Sequence, residues 1–484
     1  MMADGDALPL VVDLDGTLTP ADTLVESIVV LLRRSPLNLF RLILWLFGGR
    51  ADFKRAVARH VTVDGAALPY NQPLLAWLRE QKAQGRRIIL ATAAHGSIAE
   101  QVQRHLGLFD LLISTADGEN MKGRAKLAAI RAAIGDRFAY VGNGGPDMQV
   151  WAGSAAAIAV DVPAGELRRL RAAVPIEREF RSGEGRLGLW LRALRVHQWT
   201  KNALLFVPLL TAFSFLDIGK TIDVLLAFVA FSLVASASYV LNDIVDLEND
   251  RAHPRKSERP FASGRLPLLH GVALAIAGLV AGVLVATAVS WAFVLMLLSY
   301  LALTSAYSWT LKQYVLIDVL TLSLLYSWRI MAGAVAIDVR LSSWLLAFSV
   351  FVFLSLALIK RCTELLVAQG SGRAGLRGRD YRTTDLAVLW PLGAGSALSS
   401  VVIFGLFISS PETAGRYASP ELLWLAAFGL IYWLGRMWVK TSRGEMHDDP
   451  IVYSFKDRGS RIALAGIIAV MIAARFVHVV VLHG

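Results

Sequence analysis

Cysteine is almost absent from this chain: one residue in 484, Cys362. That excludes an intramolecular disulfide and a cysteine metal cluster. Charge is scarce as well, at 18% of residues against 55% hydrophobic, with a mean hydropathy of +0.52. A soluble protein of this size is not so apolar, so much of the chain is expected in lipid. Acid is the minority sign, 38 Asp and Glu against 49 Lys and Arg, for a formal charge of +11. That excess fits basic cytoplasmic loops and an anionic partner, either a lipid headgroup or a phosphorylated substrate. Nothing in the chain points to nucleic acid. The opening MMADGDALPL lacks the basic n-region and leading apolar stretch of a signal peptide, so none is expected. Repeats and low-complexity tracts are missing too, which argues against a solenoid or a disordered arm.

What is present divides at about residue 160. From about Ala7 to Ala155, short apolar runs alternate with amphipathic segments, the pattern of an α/β domain with a largely parallel sheet. LPLVVDLDGTLT, RRIILAT, LLIST and FAYVGNGG read as its strands, and each ends in polar residues. Ligands of open α/β sheets bind at those carboxyl ends. The segment from Leu24 to Val61 should be a helical cap, within about residues 20–75. Its two apolar runs are too short to span a bilayer, but with Trp45, Phe47 and flanking arginines they can lie in the interface. Packing on the domain's own core is the alternative. Residues 161–190, polar, basic and punctuated by Gly and Pro, read as a linker.

The strand ends carry Asp13 and Asp15 in DLDGT, then Thr92, then Lys122 and Lys126 in KGRAK, then Asn143 and Asp147 in GNGGPD. This order resembles the haloacid-dehalogenase phosphatase superfamily. The resemblance implies a Rossmann-like fold, Asp13 as nucleophile, Asp15 as general acid and base, and Thr92 and Lys126 on the phosphate. Asp13, Asp15 and Asp147 would hold Mg²⁺; Lys122 is the other lysine, and the spacing favours Lys126. The chemistry is sound in itself, since a carboxylate attacks phosphorus when a metal and a lysine neutralise the phosphoryl charge. One residue departs from the pattern: Asn143 stands where the family's metal motif begins with Asp. A catalytic phosphatase and a regulatory or stabilising module therefore both stay open.

Residues 191–484 are expected to form an all-α membrane domain of about nine helices, centred near 209, 232, 278, 300, 325, 351, 398, 429 and 471. Basic residues concentrate in alternate loops, which places those loops and the N-terminal domain in the cytoplasm of a bacterial inner membrane. An odd count would put the C-terminal end outside. The stretch YVLNDIVDLENDRAHPRKSERPFASG, Tyr239–Gly264, dominates this half. Asp243, Asp246 and Asp250 share one helical face, with Asn242 at its edge. Such an oxygen set suits Mg²⁺, and Arg251, Arg255, Lys256 and Arg259 follow at once to hold phosphate oxygens. The other polar clusters are Tyr307, Lys312 and Asp318, followed by Arg329 inside an apolar helix; Lys360, Arg361 and Glu364; and Asp449, Lys456, Asp457 and Arg458. An intramembrane arginine pairs or lines a cavity. Lys360 and Glu364 have the spacing of an i,i+4 salt bridge. His253 and His447 read as polar loop residues.

The Asn-Asp-x-x-Asp-x-x-x-Asp motif, followed by a second aspartate-bearing loop at Asp318, resembles the UbiA superfamily of intramembrane prenyltransferases. HQWTKN, with Lys201 and Asn202, DRAHPRKSERPFASG, YSWTLKQYVLIDV and GEMHDDPIVYSFKDR are similar to the decaprenyl-phosphate phosphoribosyltransferases. The resemblance implies transfer of ribose 5-phosphate from PRPP to a polyprenyl phosphate, with Mg²⁺ held by Asn242, Asp243, Asp246, Asp250 and Asp318. Asp243 and Asp246 would be central to the chemistry. Lys201, Asn202, Arg251, Lys256, Arg259, Tyr307, Lys312, Arg329, Lys360, Arg361, Lys456 and Arg458 would bind substrate. Fusion implies a second step in which the N-terminal domain removes the 5-phosphate, giving a lipid-linked ribose for envelope glycans. Ordinary prenyl transfer to an aromatic acid is the competing reading, a lipid carrier a third, and a homo-oligomer is left open.

Overall fold

Both faces of the N-terminal sheet are covered, which explains why its strands are continuous apolar runs. The computed structural model describes residues 8–478, apart from 36, 62–63, 116–120, 182, 184, 377 and 447–448. The sheet comprises β1 (Leu10–Val12), β2 (Ile88–His95), β3 (Leu111–Thr115), β4 (Ala139–Gly142), β5 (Ala156–Val160) and β6 (Ile176–Phe180). All its pairings are parallel, in the order β3-β2-β1-β4-β5-β6. Side chains alternate between faces: Leu10, Val12, Leu90 and Val141 enter one core, and Val11, Ile89 and Tyr140 the other. β1, β2 and β4 lie side by side at the centre, so the polar residues at their carboxyl ends converge.

The cap comprises three helices, α1 (Thr23–Arg34), α2 (Asn38–Leu46) and α3 (Arg50–His60). Asp22 starts α1 by accepting from the Leu24 and Val25 amides. The expected linker is a different matter. Residues Ala164–Ala173 form a helix, and Ile176–Phe180 is the edge strand β6, paired with β5. Only Leu167 and Leu170 of that helix are buried, and β6 keeps Glu177 and Arg178 exposed and Glu179 half-buried. A short, charged edge strand reads as linker because one of its edges stays in water.

The chain divides into two compact units. One contains the residues up to Leu194 together with Tyr239–Ala275; the other contains Arg195–Ser238 and the chain from Ile276 onward. The expected domain of 191–484 is thus divided, its first acidic motif grouping with the α/β domain. Among the described residues, eight helices are long and apolar enough to cross a membrane: Ile218–Val245, Leu268–Val289, Trp291–Trp309, Ile317–Ala336, Ser343–Gly370, Thr383–Ile408, Pro420–Ser442 and Arg458–Phe476. The protein is a multi-pass membrane protein. The ninth expected helix, near residue 209, is a 3₁₀ segment, Val196–Phe206, followed by the short helix Val207–Thr211 with Pro208 in its first turn. That segment lies tightly against a span: a Cβ at Gly333 would sit 2.1 Å from the Leu205 carbonyl oxygen. The odd helix count lapses with it, and residues 479–484 lie outside the described part.

Candidate functional sites

The carboxyl ends of β1 and β4 and the cap helices α1 and α3 enclose a cavity of about 250 Å³ lined by Asp13, Asp15, Lys54, Lys126, Asn143 and Asp147, among others. Asp13 is anchored by its own amide, which donates to the Val141 carbonyl at 3.0 Å. Lys126 Nζ donates to Asp13 Oδ1 at 2.6 Å and to the Tyr140 hydroxyl at 3.1 Å. Tyr140 in turn donates to Asp147 Oδ1 at 2.7 Å, and the Asn143 amide to Asp147 Oδ2 at 3.0 Å. Asp15 Oδ1 accepts from the Thr23 amide at 2.9 Å. Gly16, at φ +75°, is required: a Cβ there would meet Asn143 Nδ2 at 2.1 Å.

Burial pushes Asp13 up to about 7, against the pull of Lys126 and with the repulsion of Asp147. Burial also lifts Asp15 to about 6, with Asp22 adding to it and the Thr23 amide opposing. Three buried or half-buried carboxylates thus share one lysine, and an all-oxygen set short of positive charge fits Mg²⁺. Among the described residues no three His, Cys, Asp or Glu side chains converge to ligand distance, so water and substrate oxygens would complete the shell. Thr92 corrects one expectation. It is fully buried, and its hydroxyl accepts from the Ala94 amide, while Ala93, Ala94 and His95 form the cavity wall. Lys54 and Tyr140 are additions that spacing did not signal, because each comes from a different element.

In the same unit the first acidic motif keeps i,i+4 backbone bonding across two helices that meet at a turn on Asp246: the Asp246 amide donates to the Asn242 carbonyl, and the Asp250 amide to the Asp246 carbonyl. Asp243 and Asp250 are buried, and Asp246 and Asn242 are half-buried. Arg259 Nη1 bridges Asp243 Oδ1 at 3.0 Å and Asp250 Oδ2 at 2.6 Å, and the exposed Lys256 lies 3.9 Å from Asp250. The oxygen donors fit a hard cation, and the bridging guanidinium marks where positive charge is wanted. Arg251 corrects another expectation: its guanidinium is committed to both oxygens of Glu26 and to the Ala67 and Ala262 carbonyls. His253 is a turn cap, accepting from the Arg255 amide at 3.2 Å; His447 lies outside the described residues.

The second unit gathers a separate basic cluster around Asp449. Lys201 Nζ donates to Asp449 Oδ2 at 2.8 Å, Lys360 Nζ lies 3.6 Å from the same oxygen, and the Tyr326 hydroxyl donates to it at 3.2 Å. Arg329, buried, donates to Asn202 Oδ1 at 3.0 Å and to the Tyr300 hydroxyl at 2.6 Å, and stacks over the Tyr300 and Tyr326 rings. Burial would raise Asp449, but Lys201 and Lys360 outweigh it and hold the carboxyl down to about 2. Burial pulls Lys201 down to about 8 despite Asp449. Asp449, singled out in the sequence with Lys456, Asp457 and Arg458, is a hub whose partners lie elsewhere in the chain, Lys201 among them 248 residues away.

Asp318 is fully buried, 2.7 Å from Arg361 Nη2, and accepts from the Tyr307 hydroxyl at 2.8 Å. Its charge is met by protein where the sequence pointed to a metal. Arg361 also pairs with Glu364, and Lys360 with Asp449, so the expected Lys360–Glu364 bridge is not what forms. Lys312 sits half-buried in the turn Leu311–Gln313. Lys456 and Arg458 are exposed, and Asp457 between them pairs with Arg436.

Two family models match this chain: the UbiA prenyltransferase family over residues 204–458, and the haloacid dehalogenase-like hydrolases over residues 10–150. An uncharacterized protein of Sinorhizobium fredii, y4nM, is 37% identical over 97% of this chain and 90% of its own length. The decaprenyl-phosphate phosphoribosyltransferase of Mycolicibacterium smegmatis is 34% identical over 46% of this chain and 71% of its own. A solved UbiA homolog from Archaeoglobus fulgidus, bound to GPP and Mg²⁺, is 17% identical, with a TM-score of 0.44, covering 58% of this chain and 99% of that one. The chain belongs to the UbiA prenyltransferase family and carries a haloacid dehalogenase-like hydrolase domain at its N-terminal side.

Proposed function

We propose that this enzyme transfers the 5-phosphoribosyl group of PRPP to a polyprenyl phosphate, and that its N-terminal domain then removes the 5-phosphate. The observation that carries the reading is the basic cluster of the second unit. Lys201 and Lys360 stand at one carboxylate, Asp449, and Arg329 lies over the ring of Tyr326, whose hydroxyl donates to that carboxylate, a surplus of positive charge suited to two phosphate-bearing substrates. Similarity to the decaprenyl-phosphate phosphoribosyltransferases supports the choice of PRPP over a lipid diphosphate as electrophile.

In the transfer, an oxygen of the lipid phosphate attacks C1 of the ribose, the C1–O bond breaks, and its electron pair leaves with diphosphate. The nucleophile is already anionic, so no strong general base is needed. Asp243, Asp246 and Asp250, with Asn242, would hold Mg²⁺, and Arg259 and Lys256 lie close enough to hold phosphate oxygens. In the N-terminal cavity Asp13 attacks the 5-phosphate, Lys126 steadies the phosphoryl group, and Asp15 protonates the departing ribose oxygen. Asp15 then takes the proton from the water that releases inorganic phosphate. Asp13, Asp15 and Asp147 would hold the cation there. At both sites bound Mg²⁺ would supply neutralisation of phosphate charge. Both sites act at the cytoplasmic face of a bacterial inner membrane in this reading, and the product is a polyprenylphosphoryl ribose for envelope glycans.

The test is incubation of purified protein with PRPP, polyprenyl phosphate and Mg²⁺, followed by mass spectrometry of the lipids. The expected product is ribosylated lipid without the 5-phosphate. Asp243→Ala should abolish it, and Asp13→Asn should leave the 5-phosphorylated lipid. No product, together with turnover of a polyprenyl diphosphate and an aromatic acid, would return the enzyme to ordinary prenyl transfer.

A further inference from the structure

Helix α2 is apolar on the side that faces away from its own domain. Asn38 and Leu42 are buried, whereas Leu37, Leu39, Phe40, Leu44, Leu46 and Phe47 are exposed, Phe47 at 85%. Isolated exposed apolar residues are ordinary, but a contiguous patch of this kind marks something that covers it.

The fold says what that is. The unit that contains α2 also contains the ends of two membrane spans, within Tyr239–Ala275. Arg33, near the end of α1, pairs with Glu248 at 2.6 Å, and Glu248 lies three residues beyond Val245, where the first span ends. Asn38 is five positions along the chain from Arg33, a reach of at most about 17 Å. α2 is therefore held beside the membrane boundary. Between Arg33 and Arg50 there is no acidic residue, and Arg34 and Arg41 are exposed at the patch, the complement of anionic headgroups.

We propose that α2 lies in the membrane interface with its apolar face in the headgroup–acyl boundary. The helices on either side of it, α1 and α3, supply Asp22, Thr23, Ser27, Lys54 and Val57 to the cavity of Asp13 and Asp15. A cap docked in this way presents that cavity to phosphate esters carried by lipid. The substrate class is then a membrane-borne phosphomonoester, a consequence that rests on the phosphatase reading above, whereas the docking itself does not.

Full-length protein in lipid nanodiscs tests both. Cys362, the one native thiol, is buried. Single Phe40→Cys, Leu44→Cys and Phe47→Cys variants are labelled with bimane, and Glu80→Cys, exposed on another helix, is the control. With acyl-brominated lipids, the three α2 labels should be quenched at least threefold more than the control. Equal quenching, or shielding of α2 that disappears on dilution of protein in lipid and so reports a second copy, overturns the docking. In the paired assay, Phe40→Glu with Leu44→Glu should lower hydrolysis of a vesicle-borne phosphomonoester about tenfold and leave p-nitrophenyl phosphate hydrolysis unchanged. Unchanged rates on both esters overturn the substrate class. Native protein that hydrolyses neither ester overturns the phosphatase reading instead, while the quenching result still decides the docking.

Discussion

Arg251 and Glu26 meet as a buried bidentate pair, the guanidinium donating to the two carboxylate oxygens at 2.6 and 3.0 Å. Arg251 follows Asp250 of the acidic motif directly, and Glu26 lies in the first turn of α1. One ion pair thus ties the acidic motif of the transferase to the cap of the hydrolase-like domain. Arg251 also holds the Ala67 carbonyl, so the tie reaches the far end of the cap region.

Removing one partner of a buried pair leaves an uncompensated charge, whereas removing both does not. Glu26→Ala should weaken this unit by about 3–5 kcal/mol. It should also lower transferase turnover, although Glu26 is on the hydrolase side. Glu26→Leu with Arg251→Met should regain most of the stability. Thermal melts of the single and double variants check this, and an unaltered single variant would contradict it.

The Lys201–Asp449 pair predicts a pH dependence. Lys201, lowered to about 8 by burial, loses its charge as the pH rises past 8, so KM for the phosphorylated substrate should climb there. Lys201→Arg stays charged and should flatten that limb. Asp449 raises Lys201, so Asp449→Asn should move the limb to lower pH by about one unit or more. Profiles of KM between pH 6.5 and 9.5 would show the order Asp449→Asn, native, Lys201→Arg; an identical limb in all three would exclude Lys201 from binding.

Much of this was readable in advance, for physical reasons. Continuous apolar strands ending in polar turns, and carboxylates spaced for one helical face, are local signals. β6 was not readable, because an edge strand carrying Glu177, Arg178 and Glu179 has the composition of a surface segment. Nor was the Asp449 hub, whose partners Lys201 and Lys360 are brought to it only by packing. Arg251 shows the converse error. It stands in a basic run that invites a phosphate, yet a buried carboxylate from a distant helix claims it.

The N-terminal cavity predicts a stability effect in the absence of divalent cation. Asp13 and Asp15 are raised in the folded state, to about 7 and about 6, from the ordinary carboxylate value of 3.8. Their stabilising contribution is complete below that value and is lost as the pH rises through 6 and 7. With EDTA, the N-terminal unit should melt lower at pH 8 than at pH 5, and Mg²⁺ should restore it at pH 8. Asp15→Asn should recover on the order of 1 kcal/mol at pH 8, because the carboxylate is part-exposed at the cavity and screened. Fluorescence melts with and without Mg²⁺ read this directly, and an equal loss with pH in the Asn variant would assign it elsewhere.

Arg259 bridges Asp243 and Asp250 with a single guanidinium nitrogen. The two carboxylates therefore carry an internal competitor for any cation that reaches them. A dication must displace that nitrogen or share the oxygens with it, so its hold on the resting enzyme is weakened. When a diphosphate arrives, the released guanidinium gains a new anion to bind, and metal and substrate favour each other's arrival. In the transfer proposed above, affinity for the ion would then be conditional on the leaving group, and a membrane enzyme built this way would not have to sequester magnesium between turnovers.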